Sequence, residues 1–320
     1  MPKHKVFIAS KIPAAGIQLL TERGYDVEIY HEKSIIPKEM LIKKIQQADA
    51  LITLLLNEID KEIIQSAQML KIIANYAVGF NNIDTQSAGQ HNIVVTNTPD
   101  ILTPATADFT WALILAVTKR IAEGDQYVRQ GHFKGWEPEL LLGGDITGKT
   151  IGIIGAGRIG RAVGRRAAGF EMEILYTANS PKTEFEQKTG ARKTALAELL
   201  EKSDIITIHC PLTPETHHLL NAENLKTVKK GAYLINTSRG PVVHEEALVK
   251  SLKSGRLAGA GLDVFEFEPQ IHPELITLPQ AVLMPHAGSA TVETRDEMAR
   301  MCARNIIAVL EGKPALNPVN

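Results

Sequence analysis

Residues 150–170 read TIGIIGAGRIGRAVGRRAAGF, and this stretch decides the fold. TIGIIG at 150–155 reads as an apolar strand. Gly155, Gly157 and Gly160 follow in the spacing G-x-G-x-x-G, and the residues from Arg158 onward read as a helix. Alone, such a triplet is a weak signal, because glycine-rich turns are common. Set between a strand and a helix, it reads as a dinucleotide-binding turn. Gly155 permits the tight turn, Gly157 lets the backbone approach a pyrophosphate, and Gly160 allows the helix to close on the strand. The helix start at Arg158 and Ile159 adds N–H groups and a positive dipole end.

Outward from this turn, a βα rhythm runs in both directions. Downstream, MEILYT, DIITIHC, AYLINTS, LAGAGLDVF and AVLMPH read as strands. Helices are expected near 158–169, 195–203, 222–230 and 244–254, with a loop at 266–280. Upstream, KVFIAS (5–10), VEIY (27–30), ALITLLL (50–56), KIIANYA (71–77) and IVVT (93–96) read as five more strands. One helix between them runs from Pro13 to Arg23 and stops at Gly24; another has Pro37 as its first helical residue. Strands apolar throughout are what a parallel sheet covered on both faces requires. Thr103 reads as an N-cap, with Pro104 opening a long apolar helix to about Arg120. Residues 123–148 read mostly as loop, and 291–310 as a last helix. The fold class is α/β, with two doubly wound parallel-sheet domains of Rossmann or flavodoxin type.

Composition narrows the function. A chain of 320 residues has room for about two domains. Apolar residues at 44% and charged residues at 22% exclude a disordered chain, a collagen and a coiled-coil rod. A formal net charge of −1 gives no basic field for nucleic acid or anionic lipid. Cys210 and Cys302 lie outside any CxxC, so neither a disulfide framework nor a zinc knuckle is expected. The start, MPKHKVFIAS, lacks the apolar core of a signal peptide, and no run reaches the ~18 apolar residues of a membrane span. A cytoplasmic chain with no membrane or nucleic-acid partner is expected. No metal site is expected either: His217-His218 has no third ligand in view. His209 needs no chemical role, and His4, His31, His91, His132, His244 and His272 read as surface or loop residues.

Two further constellations carry chemistry. An NAD site usually places an acidic residue about 20 positions beyond the glycine turn, on the ribose 2′-OH. Here the strand ends Thr177-Ala178-Asn179-Ser180-Pro181-Lys182, with no carboxylate before Glu184. Nothing there repels a 2′-phosphate, and Asn179, Ser180, Lys182 and Arg158 are placed to hold one, so NADP(H) is expected in preference to NAD(H). Second, Arg239, then Asp263, Glu266 and Glu268, then His286 stand at the ends of three successive strands. An isolated Arg is usually a surface cation, and an isolated His usually has a merely structural partner. Together, beside a nucleotide turn, they supply an anion clamp, a proton donor and a carboxylate that tunes it.

With NYAVGFNNID at 75–84, HCPLTPET at 209–216, INTSRG at 235–240, GLDVFEFEP at 261–269 and PHAGSAT at 285–291, the chain resembles the D-2-hydroxyacid dehydrogenases. Within them it looks most like the glyoxylate/hydroxypyruvate reductases. The resemblance implies a catalytic trio of Arg239, Glu268 and His286. It implies a substrate-carboxylate loop at Val78 and Gly79, with Arg239 and His286 also on the substrate. Cofactor contacts fall on Thr106, the 155–160 turn, Pro211, Thr216, Thr237, Asp263 (near the nicotinamide amide) and Gly288. It further implies a substrate-binding domain of 1–99 with 290–320, a dinucleotide domain of 100–289 and a cleft between them. The helix after Thr103 and the loop beyond it become the arm of a homodimer. The expected reaction is NAD(P)H-dependent reduction of a small 2-oxo acid to a 2-hydroxy acid. A 2-ketogluconate reductase shares every motif; the size of the pocket near Leu54, Leu55, Leu56 and Trp136 would separate the two. A nucleotide-sensing interaction protein is the alternative from outside enzymology.

Overall fold

The computed structural model describes residues 3–320, which divide into two compact units, 3–102 with 289–320, and 103–288. The first begins β1 (Lys5–Ile8), α1 (Ala14–Glu22), β2 (Asp26–Ile29), α2 (Lys38–Ile45), β3 (Ala50–Thr53), α3 (Lys61–Ser66), β4 (Ile72–Asn75), α4 (Thr85–Gln90) and β5 (Val94–Thr96). The second comprises α5 (Thr103–Thr118), α6 (Ile121–Arg129), β6 (Thr150–Ile154), α7 (Arg158–Ala167), β7 (Glu173–Thr177), α8 (Thr183–Thr189), β8 (Arg192–Lys193) and α9 (Leu196–Lys202). It continues with β9 (Ile205–Ile208), α10 (Ala222–Leu225), β10 (Ala232–Asn236), α11 (Glu245–Lys253), β11 (Leu257–Leu262), α12 (Pro273–Thr277) and β12 (Ala281–Leu283). Helix α13 (Val292–Leu310) belongs to the first unit.

The first unit's sheet has the order β2-β1-β3-β4-β5, parallel throughout. Its inner strands β3 and β4 are buried at every position, whereas edge strand β2 is buried at none. That is the pattern of a sheet covered on both faces. Helix α1 stops where Gly24 takes φ +83, and the N–H groups of Gly24 and Tyr25 return to Thr21 and Leu20 carbonyls. Gly16 of the same helix lies so close to α13 that a Cβ there would sit 2.4 Å from the Ala299 carbonyl oxygen. The chain end then joins the sheet edge. Val319 N–H donates to Val95 O at 2.9 Å, and the Asn320 side chain accepts from Val95 N–H at 2.8 Å.

The second unit's sheet has the order β12-β11-β10-β9-β6-β7-β8, again all parallel. From β6 the chain first winds outward through β7 and β8. It then returns to β9 on the other side of β6 and winds away through β12. The reversal between β6 and β9 creates the crevice where open α/β sheets bind ligands. Trp111 of α5 fixes that helix against α7, donating to Val163 O at 3.0 Å and stacking on Phe170.

Several local expectations change. Pro37 precedes α2 with ψ 141 and therefore caps the helix rather than opening it. Thr103 is itself helical, so it does not act as the cap. Helix α6 runs over 121–129 into the stretch read as loop, and 273–277 form α12 inside the other. Helix α10 ends at Leu225, short of the expected 230, while α8 and the two-residue β8 had no counterpart in the reading.

Candidate active site

The glycine turn has the geometry its spacing predicts. Gly155 takes φ +97, and a Cβ there would lie 2.5 Å from Cys210 N at the end of β9. A Cβ on Gly160 would lie 2.2 Å from Gly155 O, so only glycine lets α7 start this close to β6. Gly157 differs: its Cβ would meet nothing within 4 Å. No side chain caps α7, and Arg158, Ile159 and Gly160 form its uncapped first turn. An open approach, an uncapped helix start and a switch-point crevice fit a dinucleotide pyrophosphate.

The loop after β7 is anchored from below. Thr177 O accepts from Gly155 and Ala156 N–H, tying the strand end to the glycine turn. Buried Tyr176 donates to Glu186 at 2.5 Å and accepts from Lys182 N–H at 2.8 Å. Lys182 Nζ reaches Ser180 Oγ at 3.0 Å, with Asn179 and Ser180 exposed beside it. The amide, hydroxyl and ammonium thus share one surface loop with no carboxylate before Glu184.

Other expected cofactor positions are linked through one threonine that the sequence reading missed. Thr110 donates to Thr106 O at 2.8 Å and lies 3.0 Å from the Thr237 hydroxyl. Its signal was present in the spacing, one helical turn beyond Thr106 on the same face. Thr216 Oγ1 donates to Pro211 O at 2.7 Å and accepts from Thr213 N–H, closing the PLTPET turn. The Ser238 hydroxyl donates to Cys210 O, joining that turn to the INTSRG loop.

The catalytic candidates cluster at the carboxyl edge of β10, β11 and β12. Arg239 is half-buried, and Asn236 shapes its loop by donating to Arg239 O while accepting from Ser238 N–H. Burial lowers the Arg239 guanidinium from its ordinary value, against the opposing charge of Glu268. Gly240 makes the approach possible: a Cβ there would fall 1.8 Å from Phe265 O. Glu268 Oε1 accepts from Phe265 N–H at 3.0 Å, and Oε2 pairs with His286 Nδ1 at 2.9 Å. Burial opposes the Glu268 charge, but the His286 hydrogen bond and charge, the Phe265 N–H and Arg239 outweigh it. Its carboxyl is therefore held below the usual range.

The three carboxylates after β11 have separate partners. Asp263 is buried and accepts from Ala287 N–H at 2.6 Å and Gly288 N–H at 2.8 Å, while its carbonyl accepts from His286 N–H. Burial raises its carboxyl despite those two bonds. Glu266 faces away from His286. Its carboxylate lies 2.6 Å from His218 Nε2 and accepts from the N–H of buried Glu245 at 2.9 Å, while the Glu245 carboxylate accepts from Glu266 N–H at 2.7 Å. Glu268 alone reaches His286. His244 and His272, read as plain surface or loop residues, instead cap α11 and α12 by accepting from Ala247 and Glu274 N–H. Among the described residues no cluster has the geometry of a metal site, and no helix is long and apolar enough to cross a membrane. Val78 and Gly79 lie in the first unit, just after β4.

Comparison with known proteins places this scaffold in a family. Residues 111–288 match the model of the D-isomer specific 2-hydroxyacid dehydrogenase NAD-binding domain. The chain is 50% identical to a glyoxylate reductase of Pyrococcus horikoshii, over 97% of this chain and 94% of that one. In three dimensions it resembles the TT0316 protein of Thermus thermophilus (TM-score 0.93, 45% identity, covering 99% and 100% of the two chains). It also resembles an NADPH-dependent glyoxylate/hydroxypyruvate reductase of Sinorhizobium meliloti solved with NADP and malonate (TM-score 0.87, 30% identity, covering 99% and 97%). The uncapped glycine turn and the Arg239–Glu268–His286 cluster therefore sit on a shared scaffold, and the chain belongs to the D-isomer specific 2-hydroxyacid dehydrogenase family as an NAD(P)-dependent dehydrogenase.

Proposed function

We propose that this protein reduces small 2-oxo acids, glyoxylate and hydroxypyruvate, to 2-hydroxy acids, of D configuration where the product is chiral, with NADPH preferred over NADH. The observation that carries the reading is the 2.9 Å Glu268–His286 pair beside Arg239 at the edge of a dinucleotide-binding sheet. The bound nicotinamide supplies the hydride. Arg239 holds the substrate carboxylate and polarises the ketone. With His286 Nδ1 engaged by Glu268, Nε2 is the nitrogen that donates to the carbonyl oxygen as charge develops there. Glu268, its carboxyl held below the usual range, engages Nδ1 and fixes the ring plane. In oxidation the same ring is neutral and takes the proton back.

The cofactor preference rests on the neutral strand end at Thr177 and on Asn179, Ser180 and Lys182, with Arg158 at the start of α7 adding positive charge. Lys is a point charge without the bidentate fork of Arg. A charge-assisted bond of about 1.5–3 kcal/mol gives a preference of roughly ten- to a hundred-fold. Thr106, Pro211, Thr216, Thr237, Asp263 and Gly288 are proposed to line the remainder of the cofactor site. Val78 and Gly79 are proposed to bind the substrate carboxylate through backbone N–H groups, and the active form is proposed to be a homodimer. The deciding experiment is steady-state turnover of glyoxylate, hydroxypyruvate, pyruvate and 2-ketogluconate with each cofactor. Highest kcat/KM on the two small acids is expected. Highest kcat/KM on 2-ketogluconate would make the protein a keto-aldonate reductase. Turnover below about 0.1 per second on all four, far under ordinary enzyme rates, would point to a nucleotide sensor.

A further inference from the structure

Strands β4 and β5 are parallel neighbours; β4 ends at Asn75, and Asn97 directly follows β5. Three successive carbonyls of the segment leaving β4 are turned back towards them. Ala77 O accepts from Thr98 N–H at 2.9 Å, Val78 O from Asn97 Nδ2 at 2.8 Å, and Gly79 O from Asn75 Nδ2 at 2.7 Å. These peptides are trans, so each N–H points opposite to the carbonyl of its own plane. The N–H groups of Val78, Gly79 and Phe80 are thereby turned outward, and among the described residues none of them meets an acceptor.

Asn75 is fully buried, and its Oδ1 has no hydrogen-bond partner although its Nδ2 does. A buried acceptor left without a donor is a cost that packing alone would remove with an apolar residue. Turning the amide over would set Oδ1 against the Gly79 carbonyl, two acceptors face to face. The amide is therefore held by what its nitrogen does. The segment behind is also fixed: the Tyr76 hydroxyl donates to Arg295 O at 2.7 Å, and Asn75 O accepts from Cys302 Sγ at 3.7 Å.

We infer that Asn75 and Asn97 are positioning residues that hold two peptide planes, beside a third held by the Thr98 N–H, so that Val78, Gly79 and Phe80 present their N–H groups to a ligand carboxylate. Phe80 N–H is then a third donor beyond the two the sequence suggested. Fixed backbone donors bind an anion without reorganising when it arrives. Releasing either carbonyl lets its peptide plane rotate and lose its donor. The inference rests on the reading of this protein as a 2-oxo acid reductase, since that reading supplies the carboxylate.

The test uses the full chain, saturated with NADPH and in parallel with NADH, and oxamate as an unreactive stand-in for the 2-oxo acid. Asn97→Ala and Asn75→Ala are expected to weaken calorimetric oxamate binding and raise KM for glyoxylate by tenfold or more. The cofactor Kd should stay unchanged, and kcat should fall less than threefold. Preference for glyoxylate over methylglyoxal, which has the carbonyl but no carboxylate, should drop by the same factor as oxamate affinity. A merely structural role would lower the active fraction for both substrates and leave that ratio intact. Asn97 is only half-buried, so its variant reads out even where Asn75→Ala does not fold. Unchanged oxamate affinity and an unchanged substrate ratio in Asn97→Ala, in a wild type that turns over glyoxylate, would overturn the positioning role alone. A wild type that binds oxamate and reduces no 2-oxo acid would overturn the functional reading alone. One that does neither would overturn both.

Discussion

His286 adopts φ +53, a left-handed conformation that costs a non-glycine residue about 1–3 kcal/mol. Asp263 maintains it, taking His286 N–H on its carbonyl and the next two N–H groups on its carboxylate. This aims the ring so that Nδ1 meets Glu268. His286→Ala is expected to lower kcat by 10²–10⁴-fold with a small change in KM, the range for a lost general acid. Retention of a tenth of the activity would remove it as the proton donor. Arg239→Ala should both raise KM and lower kcat, because one guanidinium serves ground-state binding and carbonyl polarisation. Glu268→Gln keeps the shape but removes the charge, held below the usual carboxylate range, that pairs with Nδ1, so kcat for reduction should fall with little change in KM. A kcat equal to wild type would mean that Glu268 does not act on His286. Arg239 and His286 were legible because each directly follows a strand of an open sheet. Among Asp263, Glu266 and Glu268, spacing could not choose; only their partners in space separate backbone clamp, helix tie and histidine partner.

Elements with an apolar period or a distinctive turn were readable, and those without were not. The βα units around the glycine turn announce themselves through unbroken apolar strands. Helix α6 does not: none of its residues is buried, Gly124 interrupts it, and it starts from Arg120 in a left-handed conformation without a side-chain cap. Helix α12 has five residues, too few for a period, and depends on His272 and Pro273 at its start. At this scale Gly240→Ala is the sharpest perturbation, since its methyl would enter the Phe265 carbonyl and push the Arg239 loop from the Glu268 loop. Such overpacking costs about 1–3 kcal/mol; denaturant titration and kcat should both register it. The loop after β7 permits a charge test. Thr177→Asp places a carboxylate at the strand end, where it repels a 2′-phosphate and bonds a free 2′-OH. The ratio of kcat/KM for NADPH over NADH should fall by tenfold or more, and an unaltered ratio would place the ribose elsewhere.

The whole chain exposes several large apolar side chains within 121–142: Ile121, Val128, Phe133, Leu142 and Trp136, the last 84% accessible. A run of this kind is what a self-association surface presents. Sedimentation should give a dimer, and Phe133→Ser with Trp136→Ser should shift it towards monomer; a wild-type monomer at assay concentrations would remove the homodimer from the proposal. The return of the last helix to the first unit was legible only through resemblance, because nothing in 291–310 names the strands it covers. Its local trace is Gly16, which lacks a side chain where Ala299 passes. That arrangement sets an order of events during protein synthesis. At ~5–20 residues per second, the ribosome adds the remaining chain over roughly 10–40 s after Leu102. Residues 103–288 have all their strands before the last segment emerges, whereas the N-terminal sheet waits with the Gly16 face of α1 uncovered and its β5 edge unpaired. The sheet of the first unit is thus translated before the second unit and finished after it, and a ribosome stalled before residue 289 would leave it incomplete.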